Sequence, residues 1–546
     1  MKIWWIPGST GRYGEADSGA TSLKCVAPIQ ISRSGSAPPP CTMRTNPASS
    51  GAAAPYSPLE FCAATNPGSN RNTPMVVIAI APVLLRLTFI CASLCISTTI
   101  SIKVTRPQVQ FRPRLTFTAF WRTYTDREIM HGSQSIPSPT LCRGSVRVAL
   151  LTLILSVMVT LPATAAAGSL VSVEHDHSYS AAEVDAMAAR LFNGRQTPQA
   201  QFSVDVFILR YQSVDLQDQP TVVTAQLFVP RYATHAERPV YIFAAGTTGL
   251  TDQCRPLREH QVGINWGLYR HHVLAHAGQG AIGMIPEYMH FGDPDRLQPY
   301  FIAEAEARVL LDAIRALGNY FDRRAQDAER ASAVRPAGAF LAGFSQGGHA
   351  AFAAADRRAA YAPDVTIAGI IGYGPTTDIE NLLREFSVVA PPLIYSYAQH
   401  YGYDRFDPSL MLADRWLPSL AQDVQRLCIL GLQSYYPWRP DPLFRSEFTR
   451  ALHNRRLADE YPEIERILRQ NSTGLSGHGV AALILQGGND VVVNLDDQAE
   501  FVGALRNRGS SVRYLVYPGS PHDTRQISFA EVQQWMDQRK QTQENR

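Results

Sequence analysis

From about residue 180 onward, apolar positions recur with a period of two in some segments and about 3.6 in others, and the two kinds alternate. Residues 204–211 (VDVFILRY) and 221–229 (TVVTAQLFV) alternate apolar and polar positions, are rich in β-branched and aromatic residues, and flank a polar turn. That pattern predicts an antiparallel hairpin. A third strand is predicted at 240–245 (VYIFAA), ending at a glycine. Short apolar runs then follow at 281–285, 337–343, 366–372, 481–486 and 512–517. Helical spacing separates them: Ala305, Val309, Leu310 and Ile314 share one helix face. An Ala-rich helix begins at Gly347, a last helix spans about 528–540, and Ser180 caps a short early helix over 180–191. Strands alternating with helices predict an α/β fold, a mostly parallel central sheet with helices on both faces.

Residues 375–478 break this rhythm. They contain helix-like segments such as TTDIENLLREF and EIERILRQ, many aromatics and no strand periodicity. An inserted helical cap over the sheet edge is expected there. Its early run, SVVAPPLIYSYAQHYGY, is too apolar for one amphipathic surface helix, and Pro391 and Pro392 are expected to interrupt it. The expected organisation is thus a core over 166–374, a cap over 375–478 and the rest of the core over 479–546.

The first 165 residues carry a different composition. To about Arg71 they are crowded with Gly, Pro, Ser, Thr and Ala, too few apolar residues to offset the entropy of ordering. Residues 1–165 hold 15 Lys+Arg against 5 Asp+Glu (+10), and the remainder 35 against 42 (−7), so the net +3 describes neither part. The acidic structured part gives no reason to invoke nucleic acid. An apolar run at 75–96 is long enough to span a bilayer but contains Arg86. Arg143 and Arg147 precede a second run at 148–161, followed by Pro162 and an Ala163-x-Ala165 site, the pattern of a secretory signal peptide. Residues 130–165 are therefore expected to be that signal, with translation starting at Met130. Residues 1–129 are then an untranslated stretch or a disordered extension; the alternative is a membrane-anchored extension. A secreted mature chain from Ala166, without a stable transmembrane anchor, follows. It keeps Cys254 and Cys428 of the eight cysteines, which form one disulfide or stay as two buried thiols.

The chemistry centres on GFSQGG, 343–348. G-x-S-x-G between an apolar strand and a helix is a nucleophile elbow. The serine takes a strained conformation there, and side chains at Gly343 and Gly347 would clash. Ser345 is the expected nucleophile, and the Gln346 N–H the expected oxyanion donor. A serine hydroxyl needs a base and a group that orients the base, in the chain order Ser, Asp/Glu, His. Asp490 follows one late strand in QGGND, and His522 follows the next in SPHD. His478 precedes its strand instead, Asp496 and Asp497 begin a helix, and Asp523 suits a turn cap. The second oxyanion donor is expected after the third strand, at Thr247 beside Gly246, or alternatively at Thr248.

GTTGLTDQC (246–254), EYMHFGDPDRLQPY, LLDAIRAL, GFSQGGHAA (343–351), QGGND and SPHD occur in the order in which they occur in secretory lipases. The chain resembles that family over about 181–538. The resemblance implies an α/β-hydrolase with a helical cap after the sixth strand, hydrolysis of triacylglycerols or simpler esters, and a Ser345–Asp490–His522 triad. It also implies an oxyanion hole of Thr247 and Gln346, and a Cys254–Cys428 disulfide tying the loop after the third strand to the cap. Two positions depart from it: Phe344 and Ala245 stand where the family often has histidine, and both bear on substrate range. No cofactor or metal is called for, because no H-E-x-x-H or paired Cys/His spacing occurs. The expected partner is a lipid or small ester substrate. The alternatives are an acyltransferase or peptidase of the same fold, or a non-catalytic hydrolase-like binding protein.

Overall fold

The computed structural model describes residues 166–326 and 333–544. The expected extension at 1–129 and signal peptide at 130–165 lie outside the described residues. Among the described residues, nine strands form one sheet: β1 (Leu170–Tyr179), β2 (Val204–Val214), β3 (Pro220–Pro230), β4 (Ala236–Ala244), β5 (Ile282–Pro286), β6 (Val334–Phe344), β7 (Ile367–Tyr373), β8 (Ala482–Gly487) and β9 (Val512–Tyr517). Their order is β1-β2-β3-β5-β4-β6-β7-β8-β9. The pairs from β1 through β3 to β5 are antiparallel, and those from β5 through β4 to β9 are parallel. Parallel pairing puts the carboxyl ends of β4, β6, β7, β8 and β9 on one edge, where loops carrying chemistry converge.

The expected hairpin forms, with Val204 opposite Pro230 and Val214 opposite Pro220. One strand was not legible in the pattern. β1 (LVSVEHDHSY) is largely exposed on both faces, so no apolar alternation marks it; its pairing with β2 holds it in the sheet. Because of β1, the sixth strand of the sequence reading is β7.

Helices cover both faces. Ser180 caps α1 (Ala181–Phe192) in a reciprocal capping box with Glu183, which satisfies two otherwise orphaned N–H groups. α2 (Tyr269–Gly278) has all ten residues buried, Arg270, His271, His272 and His276 among them. Those polar residues conceal it from an apolar-period search. α3 (Ala303–Gln326) and α4 (Gln346–Tyr361) pack together beside the sheet, and α9 (Leu495–Asn507) and α10 (Phe529–Glu544) follow β8 and β9.

Between β7 and β8 the chain is helical, with α5 (Ile379–Glu385), α6 (Ala390–Tyr401), α7 (Ile429–Tyr435) and α8 (Pro462–Asn471) as its main pieces. One isolated bridge, Leu412 to Phe444, is the only strand-like pairing among them. Pro391 and Pro392 do not interrupt their segment as expected: they stand in the first turn of α6. A first-turn residue has no intrahelical acceptor for its N–H, so proline costs nothing there and its fixed φ favours the helix. Ala390 to Ala398 are all buried, which explains why no polar face shows in the sequence. Cys254, in the loop after β4, is joined by a disulfide to Cys428 at the N-cap of α7, and Ile429 N–H donates to Thr248 O at 2.8 Å. No helix among the described residues is long and apolar enough to cross a membrane.

The histidines of α2 make stability depend on pH. His272 Nε2 meets Tyr241 Oη at 2.8 Å, that phenol meets Tyr373 Oη at 2.8 Å, and His276 Nδ1 meets Gln533 Nε2 at 2.6 Å. Burial holds the three rings neutral. It lowers His271 to about 4 and His276 to about 3, and moves His272 well below its usual value. Glu287 opposes them, because burial raises its carboxyl to about 7. Burial also lowers His260, His290, His400 and His478, and raises Asp312, Asp378 and Glu380 as it does Glu287. As the pH falls through the usual histidine range the unfolded chain protonates its histidines while the buried rings resist, so the histidines lower stability on acidification and the raised carboxyls oppose them in part. Urea midpoints should be flat above pH 7 and fall steeply below 6.5; a midpoint constant from pH 7 to 5 would refute this account.

Candidate active site

β6 ends at Phe344, and Ser345 follows at φ 54°, ψ −114°, a region that non-glycine residues rarely occupy. Ser345 N–H donates to Tyr373 O on β7 at 3.0 Å, which fixes the turn to the neighbouring strand. The flanking glycines are required by contact distances. A Cβ on Gly343 would lie 1.9 Å from Gly347 O, and one on Gly347 would lie 2.0 Å from Ala244 O. Gln346 opens α4, so its N–H has no partner within the helix. Ser345 Oγ lies 3.4 Å from Thr376 Oγ1.

Asp490 and His522 sit in the loops after β8 and β9. His522 Nδ1 lies 2.8 Å from Asp490 Oδ2. Asp490 has no exposed side-chain surface, and four donors surround it. Val492 and Val493 N–H groups reach Oδ1 at 2.8 and 2.9 Å, and Gln486 Nε2 reaches Oδ2 at 2.9 Å beside the imidazole. A carboxylate held this way can only accept, so the histidine proton sits on Nδ1. Nε2 is left buried with no hydrogen-bond partner. Gly374, at φ +49°, lies beneath this pair: a Cβ there would come within 2.8 Å of His522 Nδ1.

Ser345 and His522 line one cavity of about 250 Å³ with Thr247. Leu382, Phe386, Val389, Ile429 and Gln433, from the helical insertion between β7 and β8, line one side of it. Trp266, Tyr269, Tyr300 and Phe301 form much of its wall. Thr247 Oγ1 is 2.8 Å from Tyr300 Oη, a phenol that burial keeps neutral. Thr248 is fully buried, does not reach the cavity, and accepts from the Ile429 N–H through its carbonyl. Gly246 admits no side chain, because a Cβ would lie 2.7 Å from the Phe344 ring. A larger cavity of about 420 Å³ lies beyond Leu382 and Val492 but contains none of Ser345, Asp490 and His522.

The other carboxylates are otherwise engaged. Asp523 receives Arg525 at 2.6 and 2.9 Å. Burial pushes its carboxyl up, but Arg525 outweighs that and holds it below the usual range. Asp496 is in the first turn of α9, and Asp497 pairs with Arg384 and Arg455. His478 precedes β8 and accepts from Val480 N–H at 3.0 Å. The sequence reading missed the contributions of Trp266, Tyr269, Tyr300, Phe301, Gly374 and Arg525, since no motif marks residues whose role depends on where loops cross. Phe344 lies between Arg525 (4.9 Å to its ring) and the His522 ring (4.9 Å).

A sheet with this order, a serine strained at a parallel strand end, and an oriented imidazole at the same edge define the α/β-hydrolase fold. The model of the family described as secretory lipase matches residues 276–388. That segment contains Ser345 but neither Asp490 nor His522, and it shows the expected resemblance there. Among solved structures, the ligand-bound rice cell wall degrading esterase LipA from Xanthomonas oryzae is similar at TM-score 0.53 and 17% identity, over 70% of this chain and 98% of that one. Lipase A from Candida antarctica in its closed state is similar at TM-score 0.51 and 18% identity, over 70% of this chain and 84% of that one. At such identities these likenesses speak for the fold. No curated protein sequence matches the chain.

Proposed function

We propose that the chain is an exported lipase or esterase that cleaves carboxylic esters through a Ser345 acyl-enzyme. The observation that carries this reading is the cavity shared by Ser345 and the unpartnered Nε2 of His522, whose other nitrogen is held by Asp490. In this reading His522 takes the Ser345 proton as Oγ attacks the ester carbonyl. The Thr247 and Gln346 N–H groups receive the developing oxyanion, and His522 protonates the leaving alcohol and then activates water. The reaction needs no cofactor or metal. Export is supported by the signal pattern before Ala166, by the Cys254–Cys428 disulfide and by the family match. The cap is assigned to 375–478.

The roof argues for an apolar acyl group. Leu382, Phe386, Val389 and Ile429 face the cavity, and each methylene buried there contributes up to about 0.8 kcal/mol. With p-nitrophenyl esters, kcat/KM is expected to rise from acetyl to at least hexanoyl, and charged peptides should not be cleaved. Preference for acetyl with rejection of longer chains would replace the lipase reading by a small-ester esterase.

A further inference from the structure

Behind the proposed oxyanion donor lies a buried acid–base pair that the reaction itself does not use. Glu306 on α3 is 2% exposed and His349 on α4 is fully buried. Glu306 Oε1 receives Gln346 Nε2 at 2.8 Å and Phe301 N–H at 3.2 Å. Phe301 is itself held at φ 54° and lines the cavity. Glu306 Oε2 lies 2.6 Å from His349 Nδ1, and His349 Nε2 lies 2.6 Å from Asn471 O, a backbone carbonyl at the end of α8. A carbonyl oxygen can only accept, so Nε2 carries a hydrogen. Nδ1 then faces a carboxylate at 2.6 Å, a contact that two bare acceptors would not keep. A proton lies between them, and the pair is neutral as a unit.

This neutrality matters because of its position. A carboxylate without that proton, one side chain away from the Gln346 N–H, would oppose negative charge developing on the substrate oxygen. In a low-dielectric interior that opposition is poorly screened. We propose that His349 and Glu306 are positioning residues for the oxyanion hole. Glu306 fixes Gln346 and Phe301, and the proton shared with His349 cancels the carboxylate's charge where the transition state would feel it. The proposal rests on the assigned roles of Ser345 and Gln346.

The diagnostic comparison is between wild type, Glu306→Gln, His349→Phe and the double variant. Glutamine at 306 can donate to Nδ1 and still accept from Gln346 and Phe301, so this neutral variant should keep kcat within about threefold of wild type. His349→Phe strands the carboxylate. It should lower kcat on the order of a hundredfold with little change in KM, and weaken an alkylboronic acid that forms an anionic adduct by a similar factor. Adding Glu306→Gln to His349→Phe should restore most of kcat and of boronate affinity, because no charge then remains to be neutralised. A purely structural role predicts the opposite, a double variant at least as slow as the worse single one. That result, or a Glu306→Gln enzyme as slow as His349→Phe, overturns the proposal. Should His349→Phe not fold, His349→Asn in the same two backgrounds asks the same question. Fluorophosphonate labelling of Ser345 in active wild type separates the two levels: absent labelling fails the Ser345 reading, whereas labelling without rescue fails only the His349–Glu306 role.

Discussion

Replacing Ser345 by alanine is expected to lower ester hydrolysis on the order of a million-fold, the loss seen when a nucleophile that acts as one unit with its base is removed. The fold should survive. The strained turn is fixed by Ser345 N–H to Tyr373 O and by the close approach of Gly343 to Gly347, and none of these contacts uses the side chain. The hydroxyl itself has only a 3.4 Å approach to Thr376. A fluorophosphonate should label wild type and leave the alanine variant unlabelled; labelling of the variant would assign the nucleophile elsewhere. His522→Ala should cost about as much as the serine change. Asp490→Ala should cost less, roughly ten-thousand-fold, since an imidazole without its orienting acid still transfers protons. This variant should also lose stability, because the Val492 and Val493 N–H groups lose their acceptor and Gln486 Nε2 loses one of its two.

The second large effect concerns the disulfide. Cys254 and Cys428 are 174 residues apart, and closing a loop of that length restricts the unfolded chain by roughly 5 kcal/mol in the entropy model, an upper figure. The double Cys254→Ala, Cys428→Ala variant is expected to lose about 2–5 kcal/mol in denaturant unfolding. It should also lose activity below its melting range, because Cys428 is the N-cap of α7, whose Ile429 and Gln433 close the cavity roof. Unchanged midpoints and rates in the variant, or two alkylatable thiols in the unreduced protein, would remove the clamp from the account.

The parts of this molecule that announce themselves in sequence are those whose constraint is local. An elbow must have glycines at 343 and 347 because backbone atoms lie about 2 Å from where a side chain would begin, so its motif is rigid. Asp490 and His522 could be singled out because parallel strands bring their following loops to one edge, and they lie 2.8 Å apart. β1 and α2 escaped for opposite reasons. The strand is exposed on both faces, and the helix buries polar residues on every side, so neither shows the amphipathic signature by which elements are read. Pro391 and Pro392 were misread because proline breaks a helix interior but starts a helix equally well. Tyr300, Phe301 and Glu306 belong to a segment joined to Thr247 and Gln346 only through tertiary contact, and no spacing rule reaches that far.

The order of parts along the chain also sets a schedule. The strand that bears Ser345 precedes the helical insertion, whereas Asp490 and His522 follow it on the final two strands. Under the proposed assignment, a nascent chain that has made Ser345 still lacks His522 and Asp490, and gains them only after the helical insertion has been synthesised. The disulfide bonded to that insertion joins cysteines on either side of Ser345, and such a bond forms only where conditions are oxidising. On that assignment the chain cannot carry out the proposed reaction until its last two strands have been made.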